Sequence, residues 1–277
     1  MIVYYHSADL DGICSGAICR LKYPDAKFIG YDYGEPIDMI PDEDIIMVDV
    51  SLPMDQMEKY ASISKSFIWI DHHVSAIKEY TKLVAEKGDI GIRAVLKVGL
   101  AACELTWDYF FGAPIPKVIK LLGRYDVWDQ SDPVLWKNEI LPFQYWARSE
   151  FPDLNAFYFP TLPVVDIIMK NGASILRYQA AQDERNATKA FPVTLDNLKG
   201  IALNTSRFNS MEFESVWNEE NYDFMMAFQY TGIDWKVSLY TTKDDVDCSK
   251  MAKERGGGGH RKAAGYRTKS LPFLDWQ

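Results

Sequence analysis

The sequence predicts an α/β protein: a parallel-sheet N-terminal domain with a helical insert, joined by a helical linker to a smaller α+β C-terminal domain. Three observations lead there. Short apolar runs alternate with amphipathic segments over about the first 90 residues. The pattern then turns helical. Strand-like runs return after residue 193. A length of 277 residues fits two domains of ordinary size.

Taken in order, Ile2-Val3-Tyr4-Tyr5 reads as a buried strand and Asp11 to Lys22 as a helix with Ile13, Ala17, Ile18 and Leu21 on one face. Phe28 to Tyr31, Asp44 to Asp49 and Phe67 to Ile70 read as three more strands. Ser51 and Pro53 signal a helix start, with the helix running to about Ser62. Strands and helices alternating at this spacing predict a parallel sheet. Helices are expected over Gly99 to Phe111 and Ile115 to Tyr125, while 131–159, rich in proline and aromatics, resists assignment. Pro163 to Thr188 reads as a long helix or helix pair, and the domains are expected at 1–162 and 193–277 with 163–192 as the linker. In the last domain Gly200 to Asn204, Phe224 to Tyr230 and Trp235 to Tyr240 read as strands, and Val246 to Arg255 as a helix before four glycines.

Composition narrows the function. Hydrophobic residues make up 48% of the chain, ample for a core. No apolar run approaches the roughly 18 residues of a membrane helix, and no secretory signal is visible at Met1 to His6. Cys14, Cys19, Cys103 and Cys248 form no CxxC pair and read as reduced thiols of a cytoplasmic protein. The net charge of −9 argues against a protein that coats long nucleic acid, so a nucleic-acid substrate should be short or held at one end. Between Lys250 and Lys269, however, seven basic residues face Glu254 alone, a local anion-binding candidate.

Chemistry-bearing residues concentrate where the strands should end. His6, Asp9 and Asp11 follow the first strand, Asp49 closes the third, and Asp71, His72 and His73 close the fourth. In open parallel sheets ligands bind at the carboxyl ends of the strands. Oxygen ligands mixed with imidazole suit Mn²⁺, Mg²⁺ or a similar ion, and this many carboxylates suits two ions about 3.5–4 Å apart sharing one carboxylate. Singly, each residue has an ordinary reading: Asp11-Gly12 is a common turn signal, Asp49 could cap a helix, and His72-His73 could be a solvated loop. Their shared edge favours the metal site.

The second motif is Gly256-Gly257-Gly258-Gly259-His260-Arg261-Lys262. Glycines permit close approach of a ligand to the backbone, and successive N–H groups can form an anion-binding nest. A helix C-cap would need only one glycine.

Asp71-His72-His73 after an apolar strand resembles the signature of the DHH phosphoesterase family. His6-Ser-Ala-Asp9-Leu-Asp11-Gly12 resembles its first motif, with the first spacing one residue shorter than in many relatives, and Val48-Asp49 resembles its second. The resemblance implies a first metal site of His6, Asp9 and Asp49. It implies a second of Asp11, bridging Asp49, His72 and an aspartate from a helical region, for which Asp126 is the best match and Asp129 the competitor. Two divalent ions are implied, Mn²⁺ first, with Mg²⁺ or Co²⁺ as substitutes. Asp71 and His73 would orient ligands or touch the substrate. The glycine run resembles the substrate-binding motif of the DHH-associated domain, so Gly257, Gly258, Gly259, His260, Arg261 and Lys262 would hold substrate. Tyr240 stands near the place where many relatives carry a substrate-binding arginine, and could stack on a base or pack.

The resemblance points to a phosphohydrolase of the nanoRNase type, a 3′-5′ exonuclease on short oligonucleotides that can also dephosphorylate 3′-phosphoadenosine 5′-phosphate. Exopolyphosphatase-like hydrolysis of polyphosphate is the alternative, and a cyclic dinucleotide a third candidate. Long double-stranded DNA and membranes are not expected partners, and a homodimer is allowed. A non-catalytic nucleotide-binding protein is the reading from another class, disfavoured because Asp11, Asp49 and His72 are all present. Trp128, Trp136, Tyr145 and Trp146 read as core or interface rather than a base-stacking groove.

Overall fold

The computed structural model describes residues 1–33, 35–159 and 162–271. Residues 160–161, at the expected linker boundary, and 272–277, the end of the expected C-terminal domain, lie outside the described residues. The chain divides into two compact units, Met1–Leu176 and Arg177–Gln277. The division falls inside the single long helix α8 (Leu162–Ala187).

In the first unit, β1 (Ile2–His6), β2 (Lys27–Tyr31), β3 (Asp44–Val48), β4 (Ser66–Asp71) and β5 (Arg93–Leu96) form one sheet in the order β2-β1-β3-β4-β5. Every neighbouring pair is parallel. The crossovers are α1 (Leu10–Lys22), α2 (Met54–Ile63) and α3 (Val74–Lys87). One face packs Ile2, Tyr4, Ile45, Met47, Phe67 and Trp69 against Met57 and Tyr60 of α2 and Ala76 of α3. On the other face α1 lies against β1, so close that a Cβ on Gly16 would meet the Tyr5 ring at 2.9 Å. A sheet covered on both faces accounts for the nearly continuous apolar runs of β1, β3 and β4.

The helical part comprises α4 (Ala102–Phe111), α5 (Lys117–Asp126), a short turn α6 (Pro133–Leu135), a π-helical turn Trp136–Ile140, and α7 (Leu141–Glu150). The last three fill the stretch that sequence patterning leaves unassigned. Its aromatics are mostly internal: Trp136, Tyr145 and Trp146 are buried, and Trp136 stacks on Tyr125 with centroids 5.6 Å apart, whereas Trp128 is exposed. In the first unit two further elements lie where no element was expected. β5 has only four residues and sits at the sheet edge, too short for an alternation to show. α3 buries Ala76 alone and has no side-chain cap, so neither its apolar face nor its start is marked.

The second unit is a mixed sheet in the order β10-β11-β9-β8-β7-β6, built from β6 (Phe191–Leu195), β7 (Leu198–Asn204), β8 (Phe224–Tyr230), β9 (Trp235–Tyr240), β10 (Gly258–Gly259) and β11 (Ala263–Thr268). α9 (Cys248–Lys253) joins Phe224, Met226, Val237, Leu239 and Tyr266 in its core. α9 starts later than the expected Val246 because Asp247 caps it, accepting from the Ser249 and Lys250 N–H groups. β6 begins in the last two residues read as linker, Phe191 and Pro192, and runs into the expected C-terminal domain. Pro192 argues against a strand in the abstract, but β6 is an edge strand, where a missing N–H is tolerated.

Trp69 is wholly buried on β4, and its Nε1 donates to the Val50 carbonyl at 3.1 Å. Trp69→Ala should cost about 3–5 kcal/mol, read as a lowered urea midpoint for the N-terminal unit; an unchanged midpoint would contradict this packing.

Candidate metal centre

The strand order decides where the polar residues meet. β1, β3 and β4 are consecutive and parallel, so their carboxyl ends share one edge. His6 is the last residue of β1, Asp49 directly follows β3, and Asp71 ends β4. Asp49 adopts a left-handed backbone, φ 59°, while its N–H still reaches the Ile70 carbonyl at 2.9 Å. Such a conformation is costly for a non-glycine residue and turns its side chain away from the regular pleat.

Two groups of side chains result. In the first, His6 Nδ1 lies 3.0 Å from Asp9 Oδ2 and 3.6 Å from Asp49 Oδ2. In the second, His72 Nε2 lies 3.3 Å from Asp49 Oδ1, 3.3 Å from Asp126 Oδ2 and 3.7 Å from Asp11 Oδ2. Asp49 thus offers one carboxylate oxygen to each group. His6, Asp9 and Asp49 could hold one ion together, and so could Asp11, His72 and Asp126; Asp49, His72 and His73 form a third such set. Both Asp49 oxygens and His6 Nδ1 are buried and without a hydrogen-bond partner. Buried carboxylate oxygens are normally hydrogen-bonded, so these residues fit a divalent cation at the position where the orphaned atoms converge.

The surrounding structure fixes the ligands. Asp9 is the N-cap of α1 and accepts from the Gly12 N–H at 2.9 Å. Gly12 is therefore part of the first helical turn, not of the loop that an Asp-Gly pair suggests. A Cβ there would meet the His6 carbonyl oxygen at 2.1 Å, so only glycine lets α1 begin this close to β1. Asp11 accepts from the Ala102 and Cys103 N–H groups, both at 2.8 Å, at the amino end of α4. Asp71, fully buried, accepts at Oδ1 from the His72 and His73 N–H groups, and the same oxygen lies 2.6 Å from His73 Nδ1.

The electrostatics follow from crowding. Desolvation, then the charges of Asp11 and Asp9, push Asp49 well above the usual carboxylate range. Asp126 is raised by desolvation and then by Asp11 and Asp49. Desolvation opposes charge on His6, but the Asp49 and Asp9 carboxylates beside it outweigh that and raise the imidazole to about 11. His73 is likewise raised, desolvation being outweighed by Asp71. The protein alone leaves its negative charge undercompensated, and protons fill the deficit.

Asp129 is not in the cluster. It accepts from Arg124 Nε at 2.8 Å and from the Ser131 N–H at 3.0 Å, an ordinary turn with an ion pair. Two neighbours were not foreseen. Asp32 and Tyr33 follow β2, which flanks β1 at the same edge. Asp32 Oδ1 lies 3.3 Å from His6 Nε2, and the Tyr33 ring meets the rings of His6 and His73 edge-on, with centroids 5.6 and 6.1 Å apart. A carboxylate directly after a fourth parallel strand was the available signal.

The glycine run belongs to the second unit and is a structural hairpin. Gly256 ends the α9 turn with φ 77°, and the N–H groups of Gly256, Gly257 and His260 are used by Lys253, Ala252 and Ala263. A nest using all the successive N–H groups is thereby ruled out. Gly258 and Gly259 pair with β11, and a Cβ on Gly257 would meet the Gly265 carbonyl oxygen at 2.1 Å. His260 to Ala263 close the hairpin. Arg261 donates to the Asp244 carbonyl, and Lys262 Nζ reaches Asp244 Oδ1 at 2.8 Å and the Thr242 carbonyl at 2.6 Å. Tyr240 packs against the cluster of Ile201, Leu203 and Phe213.

Imidazoles raised in the folded state stabilise it below the free imidazole value of about 6.5, and that contribution is lost as pH rises. For His6 the window runs from 6.5 to about 11. Chelator-stripped protein should therefore lose thermal stability across that window. Saturating Mn²⁺ should flatten the dependence, because liganded groups no longer carry the protons. Parallel curves with and without Mn²⁺ would remove the metal centre.

No family model matches the chain. An uncharacterized protein of Acanthamoeba polyphaga mimivirus is 30% identical over 242 residues, 83% of this chain and 54% of that protein, so the chain spans about half the length of this relative. Among solved structures, an exopolyphosphatase-related protein from Bacteroides fragilis is similar over 98% of this chain and 87% of that chain, at 16% identity and TM-score 0.51. A pGpG-specific phosphodiesterase from Vibrio cholerae is similar over 97% and 92%, at 12% identity and TM-score 0.47. The chain therefore has the fold of the exopolyphosphatase-related protein, and at the strand ends of that fold it carries a residue pattern resembling the DHH phosphoesterases.

Proposed function

We propose that the chain is a two-metal phosphohydrolase acting on a small anionic substrate, with short RNA oligonucleotides or 3′-phosphoadenosine 5′-phosphate as the preferred class. The observation that carries this is Asp49: a buried carboxylate whose two unpartnered oxygens each face a separate histidine–aspartate group. His6, Asp9 and Asp49 would hold one ion, and Asp11, Asp49, His72 and Asp126 the other. Divalent ions so held, with Mn²⁺ first and Mg²⁺ or Co²⁺ as substitutes, would polarise a phosphoryl oxygen and supply a nucleophilic hydroxide near neutral pH.

The protein's own part is positioning and proton control. Asp49 fixes the spacing of the two ligand groups. Asp11 is immobilised by the amino end of α4. Asp71 orients His73 and raises its imidazole, which favours His73 as a donor of a hydrogen bond to a phosphoryl oxygen or of a proton to the leaving group.

The hairpin tip, with Gly257, Gly258, Gly259, His260, Arg261 and Lys262, is the proposed holder of the substrate's anionic end. Its support is the basic density in a chain of net charge −9. The Asp244 carboxylate pairs with Lys262, whereas Arg261 bonds the uncharged Asp244 carbonyl, which places more of that duty on Arg261. A small substrate matches the acidic balance better than long duplex DNA. The four cysteines are free and buried, in keeping with a reducing, cytoplasmic setting. Among the described residues no helix is long and apolar enough to cross a membrane.

The test is Mn²⁺-dependent hydrolysis of 5′-labelled RNAs from two to about twenty nucleotides, a range that separates end-gripping from groove-tracking. 3′-Phosphoadenosine 5′-phosphate, polyphosphate and cyclic dinucleotides are assayed in parallel. Fast turnover of the shortest RNAs, abolished in Asp49→Ala, is expected. Turnover of polyphosphate alone would replace the substrate class, and nucleotide binding without turnover would replace catalysis by a binding role. Arg261→Ala should raise KM more than it lowers kcat; unchanged kinetics would take the hairpin out of substrate binding.

A further inference from the structure

Resting on the metal centre proposed above, we infer that Asp32 is a positioning residue that commits His6 to one ring nitrogen. His6 has two candidate donor atoms. Nε2 lies 3.3 Å from Asp32 Oδ1, within hydrogen-bond reach. Nδ1 lies between Asp9 Oδ2 and Asp49 Oδ2 at 3.0 and 3.6 Å, buried and without a hydrogen-bond partner. A carboxylate oxygen can only accept, so the hydrogen between His6 and Asp32 belongs to Nε2. When a cation binds, the lone pair is then offered by Nδ1, the nitrogen that faces Asp9 and Asp49. A carboxylate behind a ligating imidazole fixes its ring orientation and raises its basicity.

The ring is held from a second side. Tyr33, the next residue, sets its ring edge-on to His6. A half-turn of the ring about Cβ–Cγ would put Cε1 where Nε2 stands and Cδ2 where Nδ1 stands, taking the donor from Asp32 and the nitrogen from Asp9 and Asp49. The arrangement has a topological basis: β2 pairs with β1 through His6↔Tyr31, so the residue after β2 arrives beside the residue that ends β1. Asp32 is half exposed, at 51% for its side chain, so its replacement leaves the core intact.

Two readouts other than turnover test the inference. In protein labelled with ¹⁵N-histidine and loaded with Zn²⁺, whose filled d shell leaves the spectrum sharp, His6 should show Nε2 protonated and Nδ1 bound to metal. The chain has only four histidines to assign. In Mn²⁺ titrations, Asp32→Ala should weaken binding roughly 10–100-fold, and Asp32→Asn, which keeps an acceptor oxygen, should recover most of the loss. Metal on Nε2, or wild-type Mn²⁺ affinity in Asp32→Ala, would overturn the role of Asp32 while leaving the metal centre standing. Failure of the wild-type protein to bind Mn²⁺ would overturn both.

Discussion

The N-terminal unit is organised around a carboxylate that the protein does not satisfy. Asp49 is 1% exposed, neither of its oxygens has a hydrogen-bond donor, and the charges of Asp11 and Asp9 bear on it. A buried, unpartnered charge is among the costliest groups a fold can contain. The remaining features are the means of keeping it there. Consecutive parallel strands carry its neighbours to one edge, a left-handed residue turns it inward, and glycine at position 12 lets α1 close over His6. A divalent ion bound there would convert this cost into affinity, since the free energy released on binding would include relief of the repulsion already built in.

Much of this was legible in the sequence, for identifiable reasons. β1, β3 and β4 announce themselves because a sheet covered on both faces needs continuous apolar runs. The polar residues stand out because they interrupt those runs at their ends. Asp126 could be set above Asp129 only by resemblance, since the two lie three residues apart at the end of the same helix. The geometry separates them: one carboxylate faces His72 and the other closes a turn with Arg124. Asp32 was missed because a single Asp after a partly exposed strand looks like any turn residue. Its neighbour across the sheet gives it meaning, and adjacency of β2 to β1 is a fact of topology rather than of pattern. The same applies to β5 and α3, which are held by what they pack against.

The glycine run teaches a different lesson about motifs. Its density invites a purely functional explanation, yet several of its glycines answer a steric demand: β10 lies so close to β11 that side chains at Gly257 or Gly259 would collide with backbone. The backbone that glycine exposes is partly consumed by the hairpin itself. What is left for a ligand is the charged turn, and there the Asp244 contacts fix how Lys262 and Arg261 are presented. A loop can be glycine-rich for architecture and basic for binding, and the two properties are separable by substitution.

The tie between Asp11 and α4 reaches beyond chemistry. The carboxylate that faces His72 also receives the first N–H groups of a helix more than ninety positions away, so it serves as that helix's distant cap. Asp49 has no such second duty; the fold would be relieved by its loss. A descendant in which the proposed hydrolysis was abandoned would therefore shed Asp49 early and keep Asp11 for much longer, held by stability alone. Among relatives, the presence of the aspartate at position 11 is accordingly a poor witness to activity, and the residue at position 49 is the one to inspect.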